Sequence, residues 1–261
     1  MSKSSRLINC TFCGQRGPKS QEDVFPRWLI TAIGGNRGVI SMSQFSPNVR
    51  TEPATTRAQI RGSAAVYKLK DVCHHCNTGW MSRLETAARP TLLPLLNGEP
   101  TDLDTDAQTV IGQWAHKTAI AFDAVIGRTR QEPRHIPPAA GTRLFHDTRV
   151  VPAGCSVWIG RFSPDPAAGF ELPHFRINLM MHNPNSDQLD RAELFTFVFG
   201  HLVVQVVVVI APGSTNGFAS YTVADTPLFR CTPASENTVR FPDVSVPIER
   251  LDPIFFKPQA G

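Results

Sequence analysis

The chain has 261 residues, of which 41% are hydrophobic and 18% are charged, proportions that exclude an intrinsically disordered protein and fit a globular one. The formal net charge is +4, but the first 70 residues hold eleven Lys and Arg against three Asp and Glu, whereas the remainder holds fifteen against nineteen. This excess of cations in the amino-terminal part favours a polyanionic partner, with a solvated basic face as the alternative.

Two cysteine pairs near the amino-terminal end share the same spacing. Cys10 and Cys13 are separated by two residues, and Cys73 and Cys76 repeat that separation. Thiolate is a preferred ligand of zinc, and a two-residue gap lets both sulfurs of one turn reach the same tetrahedral ion. Four thiolates fill the coordination shell. The sequence therefore predicts one structural Zn²⁺ with no open position for a substrate.

The remaining cysteines and the most apolar segment bear on where the protein resides. Cys155 and Cys231 lie in apolar, strand-like surroundings and are expected to be buried thiols. The first residues lack the apolar core of a signal peptide, so we expect a cytoplasmic protein with metal-bound cysteines and no disulfides. Residues 194–211 approach the length of a membrane span, but their Val and Phe content favours two buried strands or one bent strand. We therefore expect no membrane partner.

The elements between and after the cysteine pairs are typical of a small zinc-binding fold. A short helix is predicted after Pro26, and weak alternation over residues 39–70 predicts the strands of a small antiparallel sheet. A further helix is predicted from 78 to 88, ended by Pro90. The order of cysteine pair, hairpin, cysteine pair and helix is that of a treble clef. Residues 1–98 are thus predicted to form one zinc-bearing domain.

Residues 99–261 are predicted to form a second domain of unknown role, a candidate for sensing a signal or binding a partner. A segment rich in Pro and Gly, residues 91–100, is expected to link the two. A helix is predicted over 101–127, where aspartates precede apolar residues at helical spacing. Strands are predicted at 155–162, 175–181, 194–210, 218–223 and 239–246. A helix followed by mostly antiparallel strands makes this an α+β protein.

Taken together, the amino-terminal motifs resemble the HNH endonuclease superfamily in its four-cysteine, zinc-bearing form. The motifs are Cys10-Thr11-Phe12-Cys13-Gly14, Glu22-Asp23-Val24-Phe25-Pro26 and Cys73-His74-His75-Cys76-Asn77. The ending Asn-Thr-Gly-Trp-Met is similar to that of an uncharacterised bacterial subgroup of HNH-like proteins. The resemblance covers about residues 7–90 and implies a ββα-metal-like zinc module.

This resemblance implies a DNA endonuclease that uses one catalytic Mg²⁺ or Mn²⁺. By position, Glu22 and Asn77 would bind that cation, and Asp23 stands where the family carries its general-base histidine. A carboxylate with a pKa of about 4 is a weaker base near pH 7 than imidazole, so cleavage is expected to be slower. His75 is the alternative base. The function implied is a weakened, HNH-like metal-dependent endonuclease.

Two alternatives without catalysis stay open at this point. In the first, the zinc-stabilised module binds nucleic acid through phosphate contacts, with DNA favoured over RNA. The residues expected to make those contacts are Arg27, Arg37, Arg57, Arg61, Lys68 and Lys70. In the second, the zinc module presents a protein-interaction surface.

Overall fold

The computed structural model describes residues 6–35, 37–45, 55–63, 67–130, 141–152, 155–162, 175–182, 191–210, 221–223, 228–241, 245–246 and 256–258. Within these ranges the helices are α1 Arg27–Ala32, α2 (the consecutive segments His74–Cys76, Asn77–Met81 and Ser82–Leu96), α3 Thr105–Arg130 and α4 Gly141–Thr148. The strands are β1 Leu7–Asn9, β2 Arg16–Asp23, β3 Arg37–Phe45, β4 Thr55–Ser63, β5 Lys68–Cys73, β6 Asp102–Leu103, β7 Cys155–Phe162, β8 Phe175–His182, β9 Arg191–Phe199, β10 Leu202–Ile210, β11 Tyr221–Val223, β12 Phe229–Thr232, β13 Val239–Arg240, β14 Ser245–Val246 and β15 Phe256–Pro258. Helices combine with a mostly antiparallel sheet, so the predicted α+β class is confirmed.

A three-stranded antiparallel sheet supports the cysteine pairs. Its strand order is β1-β2-β5, and Asp23 at the end of β2 lies opposite Lys68 at the start of β5. Strand β5 leads directly into α2, so the second cysteine pair lies at the junction of a strand and a helix. Trp80 and Leu84 on α2 are buried against this sheet and its loops.

A larger sheet of eight strands forms most of the remainder. Its strands follow the order β12-β7-β10-β9-β8-β3-β4, with β14 beside β7. Strands β9 and β10 form an antiparallel hairpin in which Phe199 pairs with Leu202, which confirms two strands in the most apolar segment of the chain. Strand β3 runs parallel to β8. Strands β3 and β4 therefore belong to this large sheet, whereas the sequence placed them in a small sheet of their own.

One apolar core connects the cysteine-bearing sheet to the larger one. The Phe25 ring lies 6.3 Å from Tyr67, 6.1 Å from Phe122 on α3 and 5.9 Å from Phe197 on β9. The contacts with Tyr67 and Phe197 are edge-to-face, a geometry that adds to the free energy gained by burying the rings. Elements from both sides of the boundary predicted at residues 98 and 99 thus share a core, and the division into two domains stays a prediction.

Helix α2 continues past the position where the sequence predicted its end. Pro90 and Pro94 lie inside the helix, which runs to Leu96. Leu92, Leu95 and Leu96 are all buried. Because helical geometry carries these three side chains into the core, their burial offsets the backbone hydrogen bonds lost at the two prolines. The prediction of a linker directly after Pro90 was therefore wrong.

Helix α3 is the central element of the fold and confirms the helix expected there. Asp104 precedes it, and its Oδ1 accepts a hydrogen bond of 2.8 Å from the backbone amide of Ala107, which satisfies one free donor at the helix start. From Ile111 to Ile126 nearly every side chain is buried. The helix therefore carries several polar residues into the interior, His116 and Lys117 among them. Across the described helices, none combines the length and apolarity needed to cross a membrane.

Candidate metal centre and its surroundings

The four cysteines of the two pairs converge on one buried point. The sulfur atoms of Cys10, Cys13, Cys73 and Cys76 all lie within 4.8 Å of one another, and each side chain is buried. All are free thiols. Among the described residues, this is the one group of three or more His, Cys, Asp or Glu side chains close enough to share an ion.

The spacing of the sulfurs fits a tetrahedral zinc ion. With Zn–S bonds of about 2.3 Å, two sulfurs of a tetrahedral site are separated by about 3.8 Å. The Cys13 and Cys73 sulfurs lie 3.9 Å apart, one from each pair. Backbone amides support the same sulfurs, since Cys73 donates to the sulfur of Cys10 and Cys76 to that of Cys73, both at 3.4 Å. The group can therefore hold a structural metal ion such as zinc, as the sequence predicted.

The electrostatics of the cluster favour thiolate at one position. A hydrogen bond from Cys76 lowers the pKa of Cys10 to about 4. Burial of Cys10 opposes this shift, and hydrogen bonds from backbone amides, including that of Cys73, add to it. The same hydrogen bond raises the pKa of Cys76, because the two sulfurs share one proton. Burial raises the pKa of Cys13. A cation placed among the four sulfurs would take over the role of these protons.

The first cysteine pair is shaped by a glycine in left-handed conformation. Gly14 has φ of +67°, a region that side chains other than glycine rarely adopt. The amide of Gly14 donates 2.9 Å to the carbonyl of Cys10, which closes the turn around the sulfurs. A Cβ atom at Gly14 would collide with the guanidinium of Arg143. The glycine of the Cys-x-x-Cys-Gly motif thus allows the turn that carries the sulfurs and leaves space for Arg143.

Glu22, one of the two expected ligands of a catalytic cation, bonds an internal ammonium group. Its Oε1 lies 3.0 Å from Nζ of Lys117 on α3, and Oε1 of Glu85 on α2 lies 2.7 Å from the same Nζ. The side chain of Lys117 is 0% exposed and that of Glu22 is 10% exposed. A lysine therefore sits between two carboxylates in the manner of a bound cation.

The charges of this triad stabilise one another inside the protein. Burial works to lower the pKa of Lys117, but the attraction of Glu22 and Glu85 outweighs it and raises that pKa. Burial also raises the pKa of Glu22, against the attraction of Lys117, and the nearby Glu85 carboxylate raises it further. The raised pKa of Lys117 thus reflects its two carboxylate partners, whereas the raised pKa of Glu22 reflects its burial and the second carboxylate.

Asp23, which stands at the expected general-base position, points away from Glu22. Adjacent residues of a strand face opposite sides of the sheet. Asp23 accordingly faces outward, where its Oδ1 lies 3.0 Å from Nζ of Lys68 and its Oδ2 lies 3.4 Å from Nε of Arg27. Its carboxylate is thus held between two cations on the surface.

Asn77 and His75 lie at the start of α2. The Asn77 amide donates to the hydroxyl of Ser20 at 2.7 Å and to the carbonyl of Gln21 at 3.0 Å. These contacts hold the start of α2 against the end of β2, next to Glu22. His75 is exposed on the first turn. Two residues beyond Asn77 the helix is kinked at Gly79, whose φ of −89° and ψ of −109° are not helical.

The six basic residues expected to contact nucleic acid fall into two groups. Arg27 is 87% exposed on α1, Lys68 is half-buried beside Asp23, and Lys70 is exposed two residues further along β5. Lys68 and Lys70 share the outer side of the small sheet, because alternate residues of a strand face the same side. Arg27 reaches that side through its contact with Asp23. The other three, Arg37, Arg57 and Arg61, lie on β3 and β4, whose side chains are outside the described part of the chain.

Residue type alone would place His116 and Lys117 of α3 at the core edge or in solvent, whereas both are buried. Lysine and histidine mostly lie near water, so composition alone favours that expectation. The surrounding sequence carries the opposite signal. Apolar residues such as Trp114, Ala121 and Phe122 lie on almost every side of the helix, a pattern that indicates a buried helix.

Burial of His116 makes the stability of the folded protein depend on pH. It is buried edge-on against Phe145 at 4.9 Å, and both ring nitrogens are buried without a hydrogen-bond partner. Burial lowers its pKa from 6.5 to about 4. The folded state therefore binds fewer protons than the unfolded state between these pH values, and stability falls as the pH decreases from 6.5 towards 4.

We expect the His116→Phe variant to lose less stability on acidification than the wild type, by about 2 kcal/mol at pH 5 relative to pH 7. Urea unfolding at both pH values measures this difference. Acid release of a metal affects both proteins alike and cancels in the comparison. His75→Gln, at an exposed histidine, is the control and should follow the wild type. Parallel pH profiles for His116→Phe and the wild type would contradict the assignment.

The comparisons with known proteins do not extend these observations: no family model, no curated protein and no solved structure matches this chain.

Proposed function

We propose that this chain is a zinc-stabilised, HNH-like module that binds DNA through the outer side of its small sheet and does not cut it. Zinc on the four cysteines would hold the hairpin and α2 together as a rigid platform. Arg27, Lys68 and Lys70 would contact phosphates of the DNA backbone. Such contacts supply affinity without reading the base sequence.

A single observation carries this proposal, namely the opposite orientation of Glu22 and Asp23 at the end of β2. Glu22 faces the core, where the Lys117 ammonium occupies its carboxylate. Asp23 faces outward between Lys68 and Arg27. Hydrolysis of the HNH kind needs a divalent cation on the first residue and a base at the second, acting on one phosphate. The positive charge bound to Glu22 is instead that of the protein itself.

The charge balance of the module supports a polyanionic partner. Residues 6–35 and 67–90 contain eight Lys and Arg against four Asp and Glu. Two of those four acids, Glu22 and Glu85, bond the buried Lys117 and so add little to the surface potential. The surface of the module is therefore more positive than its composition alone indicates, which favours encounter with phosphate groups.

Removal of two exposed cations tests the binding surface. We expect the double variant Arg27→Gln/Lys70→Gln to bind a fluorescein-labelled DNA duplex roughly ten-fold more weakly than the wild type at moderate salt. The slope of log K against log salt should also become shallower by about two, since each phosphate contact contributes about 0.9. Fluorescence anisotropy at four salt concentrations gives both quantities.

The matched control removes two cations elsewhere, in the variant Arg230→Gln/Arg240→Gln. Both residues are exposed and lie on β12 and β13, away from the small sheet. This variant should bind like the wild type. Equal weakening in both double variants would show a non-specific charge effect and contradict the surface assigned here. Absence of DNA binding even at low salt would overturn the proposal in favour of a protein-interaction module.

A second candidate, a weak DNA endonuclease, is favoured by the position of Asn77. Its hydrogen bonds to Ser20 and Gln21 bring the start of α2 against the strand end that carries Glu22 and Asp23. These are the segments that the HNH resemblance assigns to the chemistry. Incubation of plasmid DNA with the protein and Mg²⁺ or Mn²⁺ separates the two candidates. Cutting that Glu22→Ala and Asn77→Ala abolish would establish the endonuclease, whereas intact plasmid supports binding without cleavage.

A further inference from the structure

Two arginines from a distant part of the chain, Arg143 and Arg149, approach the cysteine cluster. They lie on and just after α4, whereas a third arginine, Arg83, lies on α2 about two turns beyond Cys76. Arg149 is within electrostatic range of both Cys76 and Arg83.

Arg143 reaches the turn of the first cysteine pair. Its Nη2 donates a hydrogen bond of 2.9 Å to the carbonyl of Cys13. The space it occupies is left by the missing side chain of Gly14, where a Cβ atom would collide with the guanidinium. The turn that bears the sulfurs is thus shaped to admit this arginine.

Arg149 approaches the cluster from the side of α2. Its guanidinium lies 4.3 Å from the centre of the Trp80 ring, within the range of a cation–π contact. Trp80 in turn packs against Phe12, between the two cysteines of the first pair, at 5.3 Å. The backbone of Arg149 has φ of +61°, which is uncommon for a residue other than glycine or asparagine. An arginine in this strained position indicates that its side-chain contact compensates for the backbone cost.

Apolar contacts hold α4 against the same place. Phe145 on α4 packs edge-on against Trp80 at 5.7 Å and against His116 at 4.9 Å. The amide of Arg149 donates to the carbonyl of Phe145 at 2.9 Å, which ends the helix and directs the Arg149 side chain back towards Trp80. Segment 141–149 is therefore seated directly beside the cysteine cluster.

Charge explains why arginines would gather there. A Zn²⁺ ion with four thiolates carries a net charge of −2, and burial makes an uncompensated charge costly. Groups that contact or surround the ligands tune a metal site and commonly change its affinity ten- to a hundred-fold when altered. The two guanidinium groups of segment 141–149 carry two positive charges, which balance the net charge of −2 of the zinc-occupied site.

We propose that Arg143 and Arg149 are positioning residues of the metal centre, which neutralise the zinc tetrathiolate and thereby fasten segment 141–149 to the cysteine-bearing module. Zinc retention then depends on residues far from the ligands in sequence. Conversely, the docking of α4 depends on an occupied metal site. This coupling does not rely on DNA binding and is tested without it.

Zinc release into a chromogenic chelator measures the first half of the coupling. We expect Arg143→Gln and Arg149→Gln, each loaded with one zinc, to release the metal about ten-fold faster than the wild type. Arg149→Lys retains the positive charge and should stay within about three-fold of the wild type. Hydrogen exchange of the zinc-loaded Arg149→Gln variant should be faster over residues 141–149 and unchanged over β7.

Arg230→Gln is the matched control, because Arg230 also lies over a tryptophan, Trp158, at 5.7 Å but on β12, which bears none of the four clustered cysteines. It should release zinc at the wild-type rate. Release from Arg143→Gln and Arg149→Gln within two-fold of this control would overturn the proposal and leave α4 held by apolar packing alone. Equal acceleration in Arg149→Lys and Arg149→Gln would overturn it as well, since charge would then not be the cause.

Discussion

The Cys76→Ala variant is expected to lose its zinc and the folded structure of the amino-terminal module. Cys76 is fully buried and belongs to the group of four sulfurs. Structural zinc in small modules contributes about 10–16 kcal/mol of apparent binding free energy, which matches or exceeds the 5–15 kcal/mol that keeps a typical protein folded. Metal analysis by plasma emission and the near-ultraviolet circular dichroism of the tryptophans measure the loss.

Cys155→Ala is the control for this experiment. Cys155 is a buried thiol whose pKa is raised by burial to about 12, and it lies on β7, outside the four-sulfur group. Its removal should cost about 1 kcal/mol and leave one zinc per chain. Equal stability of Cys76→Ala and Cys155→Ala would contradict a metal-dependent module.

The Lys117→Met variant is expected to be less stable than the wild type by about 3–5 kcal/mol at pH 7. Methionine fills the space of the lysine stem but leaves Glu22 and Glu85 without their shared cation. Removing one partner of a buried ion pair leaves an uncompensated charge, which is the costly part. Urea unfolding monitored by circular dichroism measures the difference.

The pH dependence of stability provides a second measurement on the Lys117→Met variant. Lys117 has a raised pKa in the folded state, so its stabilisation is fully present below the ordinary lysine value of 10.5 and is lost as the pH rises through the folded value. The wild type should therefore lose more stability than Lys117→Met in strongly alkaline solution.

Two variants complete the comparison for Lys117. The double variant Glu22→Gln/Lys117→Met also removes the more buried of the two unpaired carboxylates and should recover part of the stability lost in Lys117→Met. Asp23→Asn, at the exposed pair beside Glu22, should change stability by at most about 1 kcal/mol. A Lys117→Met variant as stable as the wild type would contradict a stabilising role for the triad.

The metal centre was predictable because its signal is local and chemically specific. Two-residue spacings of cysteine require only a short turn to bring both sulfurs to one ion, whatever the rest of the chain does. The hairpin of β9 and β10 was predictable for a related reason, since Gly200 and His201 interrupt a run of Val and Phe that otherwise favours extended backbone.

What the sequence could not supply depends on partners far apart in the chain. The role of Lys117 requires Glu22, 95 residues earlier, and Glu85 on another helix. The parallel pairing of β3 with β8 joins segments that no local pattern relates. Pro90 predicted a helix end because local rules carry no information on the leucines that α2 buries beyond it. Tertiary packing determines these features, so they can be identified only from the three-dimensional structure.

Native mass spectrometry of the whole chain in the presence of zinc and excess Mn²⁺ tests the account most directly. The four cysteines are placed to hold zinc, and the Lys117 ammonium lies where a catalytic cation would bind Glu22. We therefore expect a mass increased by one zinc ion, with no manganese retained. A chain without zinc, or a manganese ion that Glu22→Ala removes, would contradict this expectation.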